Sequence, residues 1–261
     1  MSHARAHQQR VLAAQLAGSA RLGVVSAPEL TGSRAVAYAQ IRTQLADHMR
    51  SLKALQSVER KIELKRQILP EYDAWIGGVF DAERDTGQGV QDEVFTTTML
   101  WRIDVGDYRH ALEMAAYAMR WKLALPEHIV RDLPTLVTEE ISEAALQAFG
   151  AGEDFPRDVL TRVAALTNAS DMHDQVRAKL HKAMGLEIAR RVDEGEDGDD
   201  GVAGGRRARL EAGLAHLRRA LVLNSKAGVK KDIERLERAL KALLEETAKA
   251  LAPSAGGQAP T

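Results

Sequence analysis

The sequence predicts an all-α protein: helical hairpins with a long N-terminal amphipathic helix. Three observations carry this. Apolar residues recur at helical spacing through most of the 261 residues. Alternating β-branched runs are short, and the Thr-rich stretch Phe95-Thr96-Thr97-Thr98 lies inside a helical period. Gly or Pro stands where the periodicity stops, as at Pro70 and Gly106. A chain of this length can remove roughly 70–75% of its unfolded surface from water, so a real core is available.

Taken in order, residues 1–32 read as a mobile N-terminal arm. It carries a short Ala-rich helix from about Ala4 to Ala17, followed by Gly18, Gly23, Pro28 and Gly32. Residues 33–70 read as one long basic amphipathic helix, capped by Ser33 and ending at Leu69 before Pro70. Ile41, Leu55, Ile62 and Leu69 share one heptad column, which His48 interrupts, and Leu45 and Leu52 share another. Such a seam serves self-association or packing on the protein's own core, and the pattern alone leaves both open.

Residues 71–192 read as a helical core. Gln91–Val105 and Asp107–Leu123 are its clearest helices, separated by Gly106, and Ala111, Ala115 and Ala118 give the second a small-residue face. Pro126 and Pro134 bound a connection, Thr138 is placed to cap the next helix, and Asp171 the one after it. Trp75, Trp101 and Trp121 fall at helical positions and read as core residues. Residues 193–206 are rich in Gly and carboxylates and read as a disordered loop whose spacing does not fit an EF-hand. Residues 207–252 form a helical pair, and 253–261 a disordered tail. Gly106, Ala111, Ala115 and Ala118 resemble the second helix of a tetratricopeptide unit. Gly185, Ile188, Gly213, Leu217, Ala220 and Leu221 resemble a further unit, without a sustained 34-residue period.

Several functions are excluded early. Cysteine is absent, which removes disulfide scaffolds, thiol nucleophiles and Cys-ligated zinc. The longest internal run without Asp, Glu, Lys or Arg is ten residues, Val11–Ala20, too short to cross a membrane. No apolar stretch follows a basic start, so no signal peptide is expected. HExxH, Gly-rich phosphate-loop and GxSxG patterns are missing.

The formal net charge of −1 conceals segregation. Residues 1–70 hold 11 basic and 4 acidic side chains, residues 71–160 hold 7 and 18, and residues 161–261 hold 18 and 15. Separate segments with separate partners produce such a pattern, and so do solvated helix faces. Arg50, Lys53, Arg60, Lys61, Lys65 and Arg66 are the main candidates for DNA contact, because phosphate neutralisation needs several cations on one face. Lys179, Lys182, Lys230 and Lys231 are secondary candidates. A metal-dependent nuclease needs two or three converging acids; Asp104 and Asp107, flanking Gly106, are the weak candidates, although a helix cap explains Asp107 equally well. His3 and His7 are spaced i,i+4 but lack a third metal ligand, so no metal site is assigned, and Mg²⁺ is expected only if the protein is a nuclease.

Several segments in matching order resemble one family. They are Leu52-Lys53 through Lys65-Arg66, then Leu69-Pro70 with Trp75 and Gly78-Val79, then Met99-Leu100-Trp101-Arg102-Ile103-Asp104-Val105-Gly106-Asp107 with Ala111-Leu112-Glu113. Further segments are Val137-Thr138-Glu139-Glu140, Asp174 with Val176-Arg177-Ala178-Lys179-Leu180-His181-Lys182, Leu214-Ala215-His216-Leu217 with Ala220, and Ala227-Gly228-Val229-Lys230-Lys231 with Ile233-Glu234-Arg235-Leu236-Glu237-Arg238. Over about residues 35–241 the chain resembles the small terminase subunit of peduovirus-type temperate tailed phages. The resemblance implies recognition of the cohesive-end site on concatemeric double-stranded phage DNA and transfer of that DNA to a large terminase subunit carrying the ATPase. It also implies assembly as a homo-oligomer, often a ring, in the cytoplasm of the bacterial host. The family is also described as the terminase endonuclease subunit. Two departures stand out: the tail after Lys249 lacks the basic extension the family implies, and the acidic loop is an insertion. Three readings follow: a DNA-recognition adaptor, a metal-dependent endonuclease that cuts the site, and a helical interaction scaffold without DNA contact.

Overall fold

The computed structural model describes residues 3–17, 33–193 and 202–251. Among them are eleven α-helices, one 3-10 turn and no strand, in agreement with the all-α reading. The chain divides into two compact units, Met1–Val137 and Thr138–Thr261. No helix among the described residues is long and apolar enough to cross a membrane.

In the first unit, α1 (His3–Ala17) lies against α4 (Asp73–Thr86). Gly78 makes this possible: a Cβ there would collide with the Arg10 carbonyl and stand 2.5 Å from the Ala13 Cβ. Ala13 is fully buried, and Arg10 donates to the two Asp81 carboxylate oxygens from Nε and, at 3.1 Å, from Nη2. The stretch expected to hang as an arm therefore begins with a packed helix; residues 18–32 lie outside the described residues. The helix expected over Ser33–Leu69 is two helices, α2 (Ser33–Ala54) and α3 (Val58–Ile68). Ser57 adopts an extended backbone and its hydroxyl accepts from the Arg60 N–H at 3.3 Å, a local bond that competes with helix continuation. Ile41, Leu45, Leu52 and Leu69 are buried within the unit, so these heptad positions serve the protein's own core.

Leu69–Glu71 form the 3-10 turn that Pro70 permits, and Tyr72 and Trp75 follow, both buried. Trp75 donates from Nε1 to Asp92 Oδ2 at 2.7 Å, and Asp92 caps α5 (Glu93–Asp104) by accepting from Val94 N at 2.8 Å and Phe95 N at 3.1 Å. Burial pushes the Asp92 carboxyl up, and these three bonds pull it back. The threonines of α5 are buried, and Thr98 returns its hydroxyl to the Val94 carbonyl at 2.7 Å, so a strand-like sequence is satisfied inside a helix. α6 (Tyr108–Arg120) packs on α5, and its Ala111, Ala115 and Ala118 are each fully buried. Phe80, Phe95 and Tyr117 form an aromatic cluster with ring centroids 4.8–5.7 Å apart.

α7 (Leu133–Gly150) spans the boundary between the units. Its cap is Asp132, which accepts from Thr135 N at 2.8 Å, and Pro134 fits the first turn because no N–H is needed there. Thr138, expected as the cap, is buried mid-helix instead.

The second unit continues with α8 (Arg157–Thr167), α9 (Asp174–Asp193), α10 (Val202–Leu223) and α11 (Lys230–Leu251). α9 begins at Asp174 rather than at Asp171. α9 and α10 touch at Gly185, where a Cβ would stand 2.6 Å from Leu217. Ala189, Leu210, Leu214, Leu217, Val229, Ile233, Leu236 and Leu243 form the core under α10 and α11. Each large apolar side chain of this kind contributes about 1.5–3 kcal/mol by leaving water. Of the residues expected in the 193–206 loop, Asp193 belongs to α9 and residues 202–206 to α10. Residues 194–201 and 252–261 lie outside the described residues, and with them most of the acidic loop and the tail.

Candidate nucleic-acid interface

The break between α2 and α3 organises the basic candidates. Lys53 lies in the last turn of α2 and is exposed; Arg60, exposed, and Lys61, half-buried, sit in the first turn of α3. None of the three makes an ion pair among the described residues. Arg50 and Arg66 are exposed but engaged, with Asp47 and with Glu63 at 3.1 Å. Exposed i,i+3 pairs of this kind are worth at most about 1 kcal/mol, so a phosphate can replace the carboxylate. Lys65 is different: its side chain is largely covered and its Nζ lies 2.5 Å from Asp104 Oδ2.

Lys179 and Lys182 of the second unit are also committed. Lys179 bridges Glu139, at 2.8 Å, and Glu143, which hold its ammonium charged and raise its pKa against the opposing effect of burial. Lys182 donates to the Ala227 carbonyl at 2.8 Å and ties the α10–α11 turn. Lys230 and Lys231, at the start of α11, are exposed and unpaired among the described residues. That is the positive end of the helix dipole, where a lysine costs helix stability.

The acidic candidates are held by cations. Arg102, nearly buried, pairs with both Asp73 and Asp107, and His110 Nδ1 lies 2.8 Å from Asp107. Burial alone raises the Asp107 pKa, but the bonds from His110 and Arg102 outweigh it and hold its carboxyl below the usual range. Asp107 stands at the N-cap of α6, as expected, and its carbonyl accepts from the Ala111 N–H at 3.0 Å, but its side chain makes no cap bond: its oxygens are spent on Arg102 and His110. A guanidinium thus occupies the space between Asp73 and Asp107 where a bridging cation would sit, and Asp104 is matched to Lys65. Among the described residues no three His, Asp or Glu side chains converge as a metal cage.

The family model described as phage small terminase subunit matches residues 42–175. The chain is 43% identical over 216 residues to "Terminase, endonuclease subunit" of Escherichia phage P2, covering 83% of this chain and 79% of that protein. The chain belongs to the phage small terminase subunit family. It is also 25% identical over 207 residues to "Probable terminase, endonuclease subunit" of Haemophilus phage HP1, covering 79% of this chain and 71% of that one. No solved structure matches it. As a family member it serves phage DNA packaging. The family match takes in Lys53, Arg60, Lys61, Asp104 and Asp107, and stops before Lys179.

Sequence reasoning missed the clamp on Arg102, because three residues from α4, α5 and the α5–α6 turn meet only in the fold. It also missed His181 and His216, which lie 3.0 Å apart on α9 and α10.

Proposed function

We propose that this small terminase subunit recognises the packaging-initiation site. It binds the cohesive-end region of double-stranded phage DNA through the α2–α3 break and presents it to the ATPase-bearing large subunit in the host cytoplasm, acting as a homo-oligomer. The observation that carries this reading is the set Lys53, Arg60 and Lys61: cations close together in sequence, without carboxylate partners among the described residues, on the most basic segment of the chain. Lys53 and Arg60 are exposed and Lys61 is half-buried, and unpaired charges that water can reach are available to displace counterions from a duplex. Lys230 and Lys231 supply a second group of free cations.

The competing reading is an endonuclease, which the names of the two phage relatives favour. Against it stands the pairing of Asp104 with Lys65 and of Asp107 with Arg102 and His110. A mobility shift combined with a nicking assay separates the two. Purified protein is mixed with cohesive-end and scrambled duplexes, with and without Mg²⁺. A site-specific shift with intact DNA is expected. Mg²⁺-dependent cleavage that Asp104→Asn abolishes would replace the adaptor reading with the nuclease. Oligomerisation without any shift would leave the scaffold reading.

A further inference from the structure

The second unit holds a polar seam that the α2–α3 surface does not use. His181 on α9 and His216 on α10 are half-buried and face each other, Nδ1 to Nδ1 at 3.0 Å, with ring centroids 5.2 Å apart. Such a bond needs one ring nitrogen as donor and the other as acceptor, so the two rings are opposite tautomers. The charges acting on the pair come from three helices. Arg177 lies one turn before His181, Arg219 one turn after His216, and Arg157 acts from α8. Arg157 also lies 3.9 Å from Glu187 of α9, which is buried and engaged by Arg191. Arg177 also donates to the Thr167 carbonyl at 3.1 Å and to the Ser170 carbonyl at 2.8 Å, which fixes it in place. Arg219 is exposed and makes no ion pair among the described residues.

Two imidazole nitrogens this close could chelate a transition metal. No third ligand converges among the described residues, and three guanidinium groups oppose a dication. The same charges favour an anion. Burial, with the neighbouring positive charges, pushes His181 down to about 4 and His216 below its ordinary value, so at neutral pH the arginines alone carry the local charge. A bound anion reverses that bias and lets the pair take up a proton.

We propose that the His181–His216 seam, with Arg219 and Arg157 beside it, is a phosphate site whose ligand is a backbone phosphate of duplex DNA. The DNA assignment rests on the function proposed above. Arg219 supplies an unpaired guanidinium, and an imidazole N–H supplies a second donor. Because binding is linked to proton uptake, affinity at this site rises as pH falls.

The test follows the His181 and His216 ring signals by NMR in the full chain, titrated separately with inorganic phosphate and with a short duplex at about pH 5 and about pH 7.5, which bracket the window between the depressed and ordinary histidine values. Both probes are expected to shift both signals, more tightly at the lower pH. Arg219→Ala is expected to weaken both several-fold and to lower the salt slope of duplex binding by about 1. His216→Asn is expected to abolish the pH dependence. Signals that neither probe moves would overturn the site. If phosphate moves them but a duplex bound elsewhere on the chain does not, the DNA assignment falls. If no duplex binds the chain at all while phosphate still moves them, the proposed function fails and the phosphate site stands.

Discussion

Arg102 of α5 ties together α4, through Asp73, and the α5–α6 turn, through Asp107. It is nearly buried, and its charge is matched by Asp73 and Asp107. A buried cation is tolerated only when paired, so removing a partner costs more than a surface ion pair would. Asp107→Asn is expected to destabilise the protein by about 1–2 kcal/mol at neutral pH in urea unfolding, discounted for the partial exposure of Asp107. The folded pKa of Asp107 is held below the unfolded value, so its contribution is present above the ordinary carboxylate range and is lost as pH falls through the folded value. The gap between wild type and variant therefore closes in acid; a gap independent of pH would contradict the pairing. The histidines titrate in a different window. His181 and His216 are depressed in the folded state, so the unfolded chain binds protons first, and stability falls as pH drops from about 6.5 towards 4. Thermal melts of wild type and of His181→Asn over that range test this, with the slope expected to be shallower in the variant.

Helices are held here by what is missing at their crossings as much as by what fills them. At Gly78 a Cβ would strike the backbone of α1, so Gly78→Ala is expected to release α1 while α4, gaining helix propensity, stays formed. Hydrogen exchange reads this directly: amides of α1 lose protection and those of α4 keep it. At Gly185 the obstacle is Leu217, and Gly185→Ala is expected to cost about 1–3 kcal/mol through overpacking of α9 on α10, visible as a lower melting temperature. Periodicity made most of these helices legible. The α2–α3 break was not, because Ile41, Leu55 and Ile62 keep heptad spacing across it while a single hydroxyl, that of Ser57, turns the chain. The start of α7 was misread for a related reason: a proline looks like an end, and only the Asp132 bond to Thr135 identifies Pro134 as part of a first turn. For the DNA surface, sequence supplied the cations but not their partners. Lys65, Lys179 and Lys182 look like Lys53 and Lys61 until Asp104, Glu139, Glu143 and the Ala227 carbonyl appear beside them.

At the scale of the molecule, two helical units carry the packaging role of the family, and charge is unevenly spread along them. Asp73, Asp104 and Asp107 of the middle segment are held in internal ion pairs, whereas Lys53, Arg60 and Lys61 make none among the described residues. The most direct test is the salt dependence of duplex binding by the purified chain, compared with a Lys53→Glu, Arg60→Glu, Lys61→Glu variant. Each phosphate contact contributes about 0.9 to the slope of log affinity against log salt. Wild-type binding is expected to weaken steeply as salt rises, with the slope reduced by about 2–3 in a variant that keeps its wild-type melting temperature. An unchanged slope in that folded variant would contradict the assignment of DNA contact to the α2–α3 break.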